Sequence, residues 1–249
     1  VRRVALGAGS IAVAVFGGLL ILADGGWATT PDLVWSGWMM SLRVEPLVAV
    51  ARVLATIGGT AAMFVVAAAL AVLLGILRRW RTTITVAATI ILSSAASGLL
   101  KVVVQRPRPS GGLEHLASYS YPSGHATSAA ALAVVLAIAL PRVWTWVAAS
   151  GWMLIMAWSR TYLEVHWLTD VLAGLLLGAG VALLVDGVTR RAGKARAQGR
   201  PKVTGTPSEK STLVGGPAGD GKPVAATSVS SIRSNSARRS GQAGCSLGT

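Results

Sequence analysis

Long apolar runs broken by short polar stretches set the plan of this chain. Six runs stand out, at 4–23, 53–77, 82–100, 123–140, 143–158 and 171–185, and none contains Asp, Glu, Lys or Arg. A charge at the centre of a membrane-crossing helix costs about 2.5–3.5 kcal/mol even on a lenient scale. Its absence is therefore what membrane spans require. About 20 apolar residues cross a bilayer; the last three runs are shorter, and flanking helical turns at 159–170 or local thinning of the bilayer would make up the length. The pattern predicts an all-α, six-transmembrane-helix bundle over 1–189. Residues 192–249 are rich in Gly, Ser, Thr and Pro without periodicity, so 190–249 is expected to be a basic, disordered tail.

Composition agrees with this class. The chain of 249 residues is 53% hydrophobic and only 13% charged, with a mean hydropathy of +0.60; soluble domains carry about 25% charge. The net charge of +14 is uneven, since 190–249 holds 11 of the 23 Lys and Arg but two of the nine acids. The basic residues flank apolar runs or lie in the tail, which fits membrane orientation and anionic lipid headgroups better than nucleic acid. Cys245 is the sole cysteine, which excludes an intrachain disulfide and a cysteine-based metal site. The chain opens on Val1, and its first run is longer than the apolar core of a signal peptide, so an uncleaved span is expected.

Cations divide the two sides. Arg2 and Arg3, then Arg78, Arg79 and Arg81, then Arg142, then Arg190, Arg191, Lys194 and Arg196 fall on one side of a six-span layout. The positive-inside trend makes that side cytoplasmic, with both termini, and the membrane the cell (plasma or inner) membrane. The loops at 24–52, 101–122 and 159–170 fall on the outer side. Trp27, Trp35 and Trp38 in the first of these read as interfacial anchors. Gly174 and Gly178 form a small-xxx-small pair suited to close helix packing.

Three polar islands carry the candidate chemistry: 101–109 (KVVVQRPRP), 122–125 (PSGH) and 159–170 (SRTYLEVHWLTD). Ser123 suits an N-cap, the helix start behind it suits an anion, and Gly124 allows close backbone approach. His125 places a titratable ring at that point. His166 and Asp170 are four residues apart, one face of a helix, where a carboxylate fixes an imidazole tautomer. Lys101, Arg108 and Arg160 supply three positive charges for a phosphate group. The outer carboxylates Asp24, Asp32, Glu45, Glu114, Glu164 and Asp170 form no compact ligand set. No metal and no cofactor are expected, with cations supplying the electrostatics. The residues by themselves leave open which histidine attacks.

Together these motifs resemble the type 2 phosphatidic acid phosphatase family, in the acid phosphatase and vanadium haloperoxidase superfamily. The resemblance covers the motifs over 82–189 and, by layout, 1–189. It implies a metal-independent membrane phosphatase acting on a lipid phosphate or pyrophosphate (polyprenyl pyrophosphate such as undecaprenyl pyrophosphate, phosphatidic acid or phosphatidylglycerol phosphate) at the outer face. It implies His166 as nucleophile through a phosphohistidine, Asp170 as its orienting carboxylate and His125 as general acid. Lys101, Arg108, Ser123, Gly124 and Arg160 would hold the phosphate. Glu164 stands where many relatives have Gly and marks a possible specificity position. Arg106 lies outside the motifs, is expected to make a headgroup or loop contact and is a second possible specificity position; His115 is expected to be an ordinary loop residue. The alternative from another class is an anion or lipid transporter using the same cations without hydrolysis. Transport sites lie near the membrane midplane, whereas these cations sit at one end. A vanadate-dependent haloperoxidase is disfavoured by the membrane setting, and a silent scaffold by the intact motif set.

Overall fold

A computed structural model of the chain describes residues 1–114 and 116–198. His115, Cys245 and the tail from 199 onward lie outside the described residues. Those described form eight helices and no strand: α1 (Arg2–Ala23), α2 (Thr30–Ser41), α3 (Glu45–Ile57), α4 (Thr60–Ile76), α5 (Trp80–Val104), α6 (Gly124–Ala139), α7 (Val143–Tyr162) and α8 (Leu168–Gln198).

α6 is the centre of the bundle. It packs against α4, α5, α7 and α8, and nearly every residue from Ala126 to Ile138 is buried. Its sequence explains this position: alanines dominate it, and small side chains allow neighbouring backbones to come close. α8 exploits the approach with glycine. A Cβ at Gly178 would stand 2.1 Å from the Thr127 carbonyl oxygen, and one at Gly174 would stand 2.6 Å from that of Ser123. α1 crosses the other side of α8 in the same way, where a Cβ at Gly7 would meet the Gly180 carbonyl at 2.6 Å.

Side chains on the outer faces are apolar. Phe16, Val65, Val72, Ile84, Ile91, Leu99 and Leu154 are all more than half exposed, an arrangement suited to lipid rather than water. α1, α5 and the 168–193 portion of α8 are each long and apolar enough to cross a bilayer, and α3 with α4 makes a fourth candidate bent by 47°. α6, with 16 residues, reaches about 24 Å at 1.5 Å per residue, short of a hydrocarbon core of about 30 Å. α7 has the length but, with Arg160 and several polar residues in it, lacks the apolarity. Length and apolarity thus support three or four of the six crossings expected.

Four boundaries differ from the sequence reading. The run at 53–77 is broken at Gly58–Gly59 into α3 and α4, since two glycines favour a bend. The 24–52 stretch is not an open loop: Pro31 and Pro46 open α2 and α3, where proline fits the first helical turn. Ser159 and Arg160 belong to the last turn of α7, and His166 precedes α8, so His166 and Asp170 do not share a helix. Finally, α8 runs through 190–198, a stretch whose composition pointed to the tail.

Helix polarity separates two ends. At one, Arg3 of α1, Arg81 of α5 and Arg190 of α8 converge on the buried Asp186. Arg78 and Arg79 join α4 to α5, and Arg142 joins α6 to α7, at that same end. The C-terminus of α5, the N-terminus of α6, the C-terminus of α7 and the N-terminus of α8 lie at the other, and all three polar islands gather there.

Candidate active site

α5 ends at Gln105, whose left-handed backbone (φ 48°) returns its N–H to the Lys101 carbonyl. This turn sends residues 106–109 across the helix ends. Lys101 stays on the last turn, where its Nζ donates to the Tyr119 carbonyl at 2.6 Å. Arg108 donates to that same carbonyl through Nη2 at 3.2 Å and to Ser118 through Nε at 2.8 Å. Two of the three cations of the first island are thereby held side by side.

Arg108 also reaches the third island. Its Nη1 donates to the Val165 carbonyl at 2.5 Å and stands 3.2 Å from His166 Nε2. A guanidinium only donates, so Nε2 must accept, and the ring proton must then sit on Nδ1. Nδ1 faces Asp170 Oδ2 at 3.6 Å and Ser120 Oγ at 3.5 Å. Burial pushes the His166 pKa down to about 3; the hydrogen bond and charge of Asp170 oppose this, and the charges of Arg108 and Lys101 reinforce it. The ring is therefore neutral near pH 7, with the unprotonated Nε2 accepting from a cation.

Asp170 is fully buried, and both of its oxygens accept hydrogen bonds. Oδ1 accepts from Arg106 Nη1 at 2.6 Å. Oδ2 accepts from the Trp167 N–H at 2.9 Å and from the Ser120 hydroxyl. Arg106 is no headgroup contact. It is completely buried, and its other branch donates to Asp32 Oδ2 at 2.6 Å and to the Trp27 carbonyl at 3.1 Å. Asp32 in turn accepts from the Thr169 N–H at 2.8 Å. Burial of Asp32 opposes its ionisation, yet the bonds from Thr169, Arg106 and Thr29 hold its pKa below the ordinary carboxylate value. A buried Asp32–Arg106–Asp170 chain thus ties α2 to the start of α8.

Ser123 caps α6, its Oγ accepting from the Ala126 N–H at 3.5 Å. Its own N–H donates to the Asp170 carbonyl at 3.0 Å, which docks the second island on the third. A Cβ at Gly124 would meet only Thr60 Oγ1, at 3.5 Å. His125 points its Nε2 at the Ala55 carbonyl of α3, 3.2 Å away. Arg160 is buried and donates one branch to Glu114 at 3.2 Å; its Nε and Nη1 have no partner among the described residues. Orphaned guanidinium donors of this kind suit the oxygens of an anion.

Glu164 does not line this cradle. Its carboxylate accepts from Ser36 Oγ at 2.7 Å, and burial raises its pKa. Its backbone lies at φ 52°, a left-handed conformation that glycine adopts more freely than glutamate.

Sequence reasoning missed Asp32, Ser120 and Thr169. Only Asp32 left a local trace, as the acid three residues after Thr29 in a capping pattern; it does bond the Thr29 N–H, at 3.1 Å. Among the described residues no group of three or more His, Cys, Asp or Glu could hold a metal ion.

A family model described as the PAP2 superfamily matches residues 82–193. A decaprenylphosphoryl-5-phosphoribose phosphatase of Mycobacterium tuberculosis is 35% identical over 130 residues, covering 49% of this chain and 69% of that protein. An undecaprenyl-diphosphatase of Sulfolobus acidocaldarius is 42% identical over 66 residues, covering 26% of this chain but only 32% of that relative. The crystal structure of a transmembrane PAP2 type phosphatidylglycerolphosphate phosphatase from Bacillus subtilis has a similar fold. Its TM-score is 0.63 at 22% identity, over 73% of this chain and 96% of that one.

Proposed function

This chain belongs to the PAP2 superfamily, and from that premise we propose that it hydrolyses a lipid phosphate or pyrophosphate through a phosphohistidine on His166. The observation that carries the proposal is the neutral ring whose Nε2 lone pair lies 3.2 Å from Arg108 Nη1. A phosphate drawn to Arg108 arrives beside the one ring nitrogen that holds no proton.

Nε2 attacks phosphorus as the ester P–O bond breaks. Asp170, fixed by Arg106 and Ser120, accepts the Nδ1–H and stabilises the positive ring that results. His125 gives a proton to the departing oxygen, and afterwards takes one from the water that cleaves the P–N bond. Lys101, Arg108 and the unpartnered donors of Arg160 neutralise the phosphoryl oxygens, with Ser123, Gly124 and the positive end of α6 beneath them. Four of the six carboxylates at this end face protein partners: Asp32 and Asp170 are bonded to Arg106, Glu114 to Arg160 and Glu164 to Ser36. This supports a mechanism run by cations, without a metal.

The relatives named above act on polyprenyl and glycerol lipid phosphates, and the lipid-facing helices fit a substrate whose tail stays in the bilayer. We place the site at the outer face, because the excess of arginine lies at the other end. The 1–189 bundle is the catalytic unit of this reading.

The test is phosphate release from phosphatidic acid, phosphatidylglycerol phosphate, undecaprenyl pyrophosphate and undecaprenyl phosphate, in excess EDTA. Release by the wild type, lost on His166→Ala, is the expected result. Full activity of that variant removes the phosphohistidine, and strict EDTA sensitivity removes the metal-free mechanism.

A further inference from the structure

The break between α3 and α4 has a consequence for His125. In an unbroken helix the Ala55 carbonyl would accept from the N–H of residue 59, four positions on. Here the Gly58 N–H goes to Leu54 at 2.8 Å, and the Gly59 N–H turns back to Thr56 at 3.3 Å. The Ala55 carbonyl is left without its helical donor, as the last carbonyls of any helix are. It is this oxygen that stands 3.2 Å from His125 Nε2.

A carbonyl only accepts, so the contact is a hydrogen bond only while Nε2 carries a proton. That proton remains on Nε2 in both the imidazolium and the neutral ring. The proton exchanged with substrate must therefore be the one on Nδ1.

Neither glycine is required by its backbone angles, which are φ −94° at Gly58 and φ −59° at Gly59. Space is what requires them. A Cβ at Gly58 would stand 1.8 Å from the Met156 terminal methyl of α7. A Cβ at Gly59 would stand 3.2 Å from both the Ala55 and Thr56 carbonyls and 3.6 Å from His125 Nε2 itself. The pair lets the bend sit directly against the histidine.

We propose that the Gly58–Gly59 break is a positioning device for His125: it frees the Ala55 carbonyl, which holds the Nε2–H and leaves Nδ1 to transfer protons. This rests on the reading of His125 as the general acid. In the forward step Nδ1–H passes its proton to the leaving oxygen as the P–O bond breaks, and the ring becomes the neutral Nε2–H tautomer that Ala55 already favours. When water cleaves the P–N bond, Nδ1 takes the proton back, and the imidazolium is restored.

A leaving group that needs no proton separates positioning from folding. The full chain, in detergent micelles, is assayed for kcat on phosphatidic acid, whose alkoxide leaves poorly, and on 4-nitrophenyl phosphate, whose phenolate leaves readily. General acid catalysis contributes about 10²–10⁴ in rate, so Gly59→Ala is expected to lose about tenfold or more on phosphatidic acid and about twofold or less on the aryl ester. His125→Ala should show the same contrast, enlarged. An equal loss on both substrates by Gly59→Ala, or no loss on either, overturns the positioning role. An equal loss by His125→Ala overturns His125 as the acid, and a wild type inactive on both of these and on the phosphatidylglycerol and undecaprenyl substrates named above overturns the phosphatase reading itself. The ¹⁵N shifts of the His125 ring in the wild type decide the matter even if Gly59→Ala does not fold. Protonated Nε2 near neutral pH is expected; a proton on Nδ1 with bare Nε2 overturns the proposal.

Discussion

At the scale of single residues, the proposed site rests on charges buried behind it. Arg106 is completely buried between Asp32 and Asp170, with both contacts at 2.6 Å. Removing one partner of a buried ion pair costs about 3–5 kcal/mol, because the other charge is left uncompensated. Arg106→Met strands two carboxylates, so a loss of stability at or above the top of that range is expected in denaturant titration of the purified protein. Asp32→Asn is the milder probe: kcat should fall with KM nearly unchanged, since Asp32 acts through Arg106 and Asp170 rather than on the phosphate. A rise in KM alone would mean that Asp32 binds substrate directly. His166 makes a second prediction through linkage. Its pKa is about 3 in the fold and about 6.5 in an unfolded chain. The unfolded state therefore binds the extra proton between those values, so the stability from the neutral ring is full above about pH 6.5 and drains away toward pH 3. Melting temperature should drop between pH 7 and pH 4.5, and His166→Gln should flatten that slope. The motif residues were legible because their types and spacing are local. The loop contact expected of Arg106 is present at Trp27, but its ion pairs were not foreseen, because its two carboxylate partners come from 74 and 64 positions away, a distance no local pattern spans.

At the scale of elements, apolar periodicity gave the helices and missed their joints. The runs at 123–140 and 143–158 anticipate α6 and α7 closely, because both are bounded by polar or proline residues. The run at 53–77 reads as one span because glycine is apolar enough to pass; that its bend presses on α7 and His125 is a tertiary fact. α2 was missed because a short helix between proline and serine has too few apolar turns to show a period. Glycine placement also separates the helix contacts that matter. A Cβ at Gly178 would lie 2.1 Å from the Thr127 backbone oxygen, whereas one at Gly98 meets nothing within 4 Å. Overpacking costs about 1–3 kcal/mol, and replacing a helical glycine by alanine gains about 0.5–1 kcal/mol where there is room. Gly178→Ala should therefore lower the melting temperature of the detergent-solubilised protein, and Gly98→Ala should raise it slightly. The same sign for both would mean that the α6–α8 contact yields more easily than its geometry indicates.

At the scale of the whole molecule, the bundle is asymmetric along its axis, and that asymmetry carries the topology. One end gathers Lys101, Arg108, Arg160 and both described histidines around carboxylates that pair within the protein. The other gathers Arg3, Arg81 and Arg190 on Asp186, with Arg78, Arg79 and Arg142 at the adjoining turns. On the proposed function the first set has a chemical reason to be cationic and does not count against the positive-inside trend, so the second set is expected to orient the chain. The loop carrying Ser110 is then expected to face outward and the turn carrying Arg142 the cytoplasm; both residues are exposed. After Cys245→Ser removes the native thiol, a single cysteine at each position reports its side. In intact cells an impermeant maleimide should label Ser110→Cys and spare Arg142→Cys until the membrane is opened. The reverse pattern would put the catalytic end inside the cell and restrict its substrate to phosphate groups of the inner leaflet. Labelling at both positions would show a mixed orientation, in which arginine at one end does not suffice to set the sidedness of the chain.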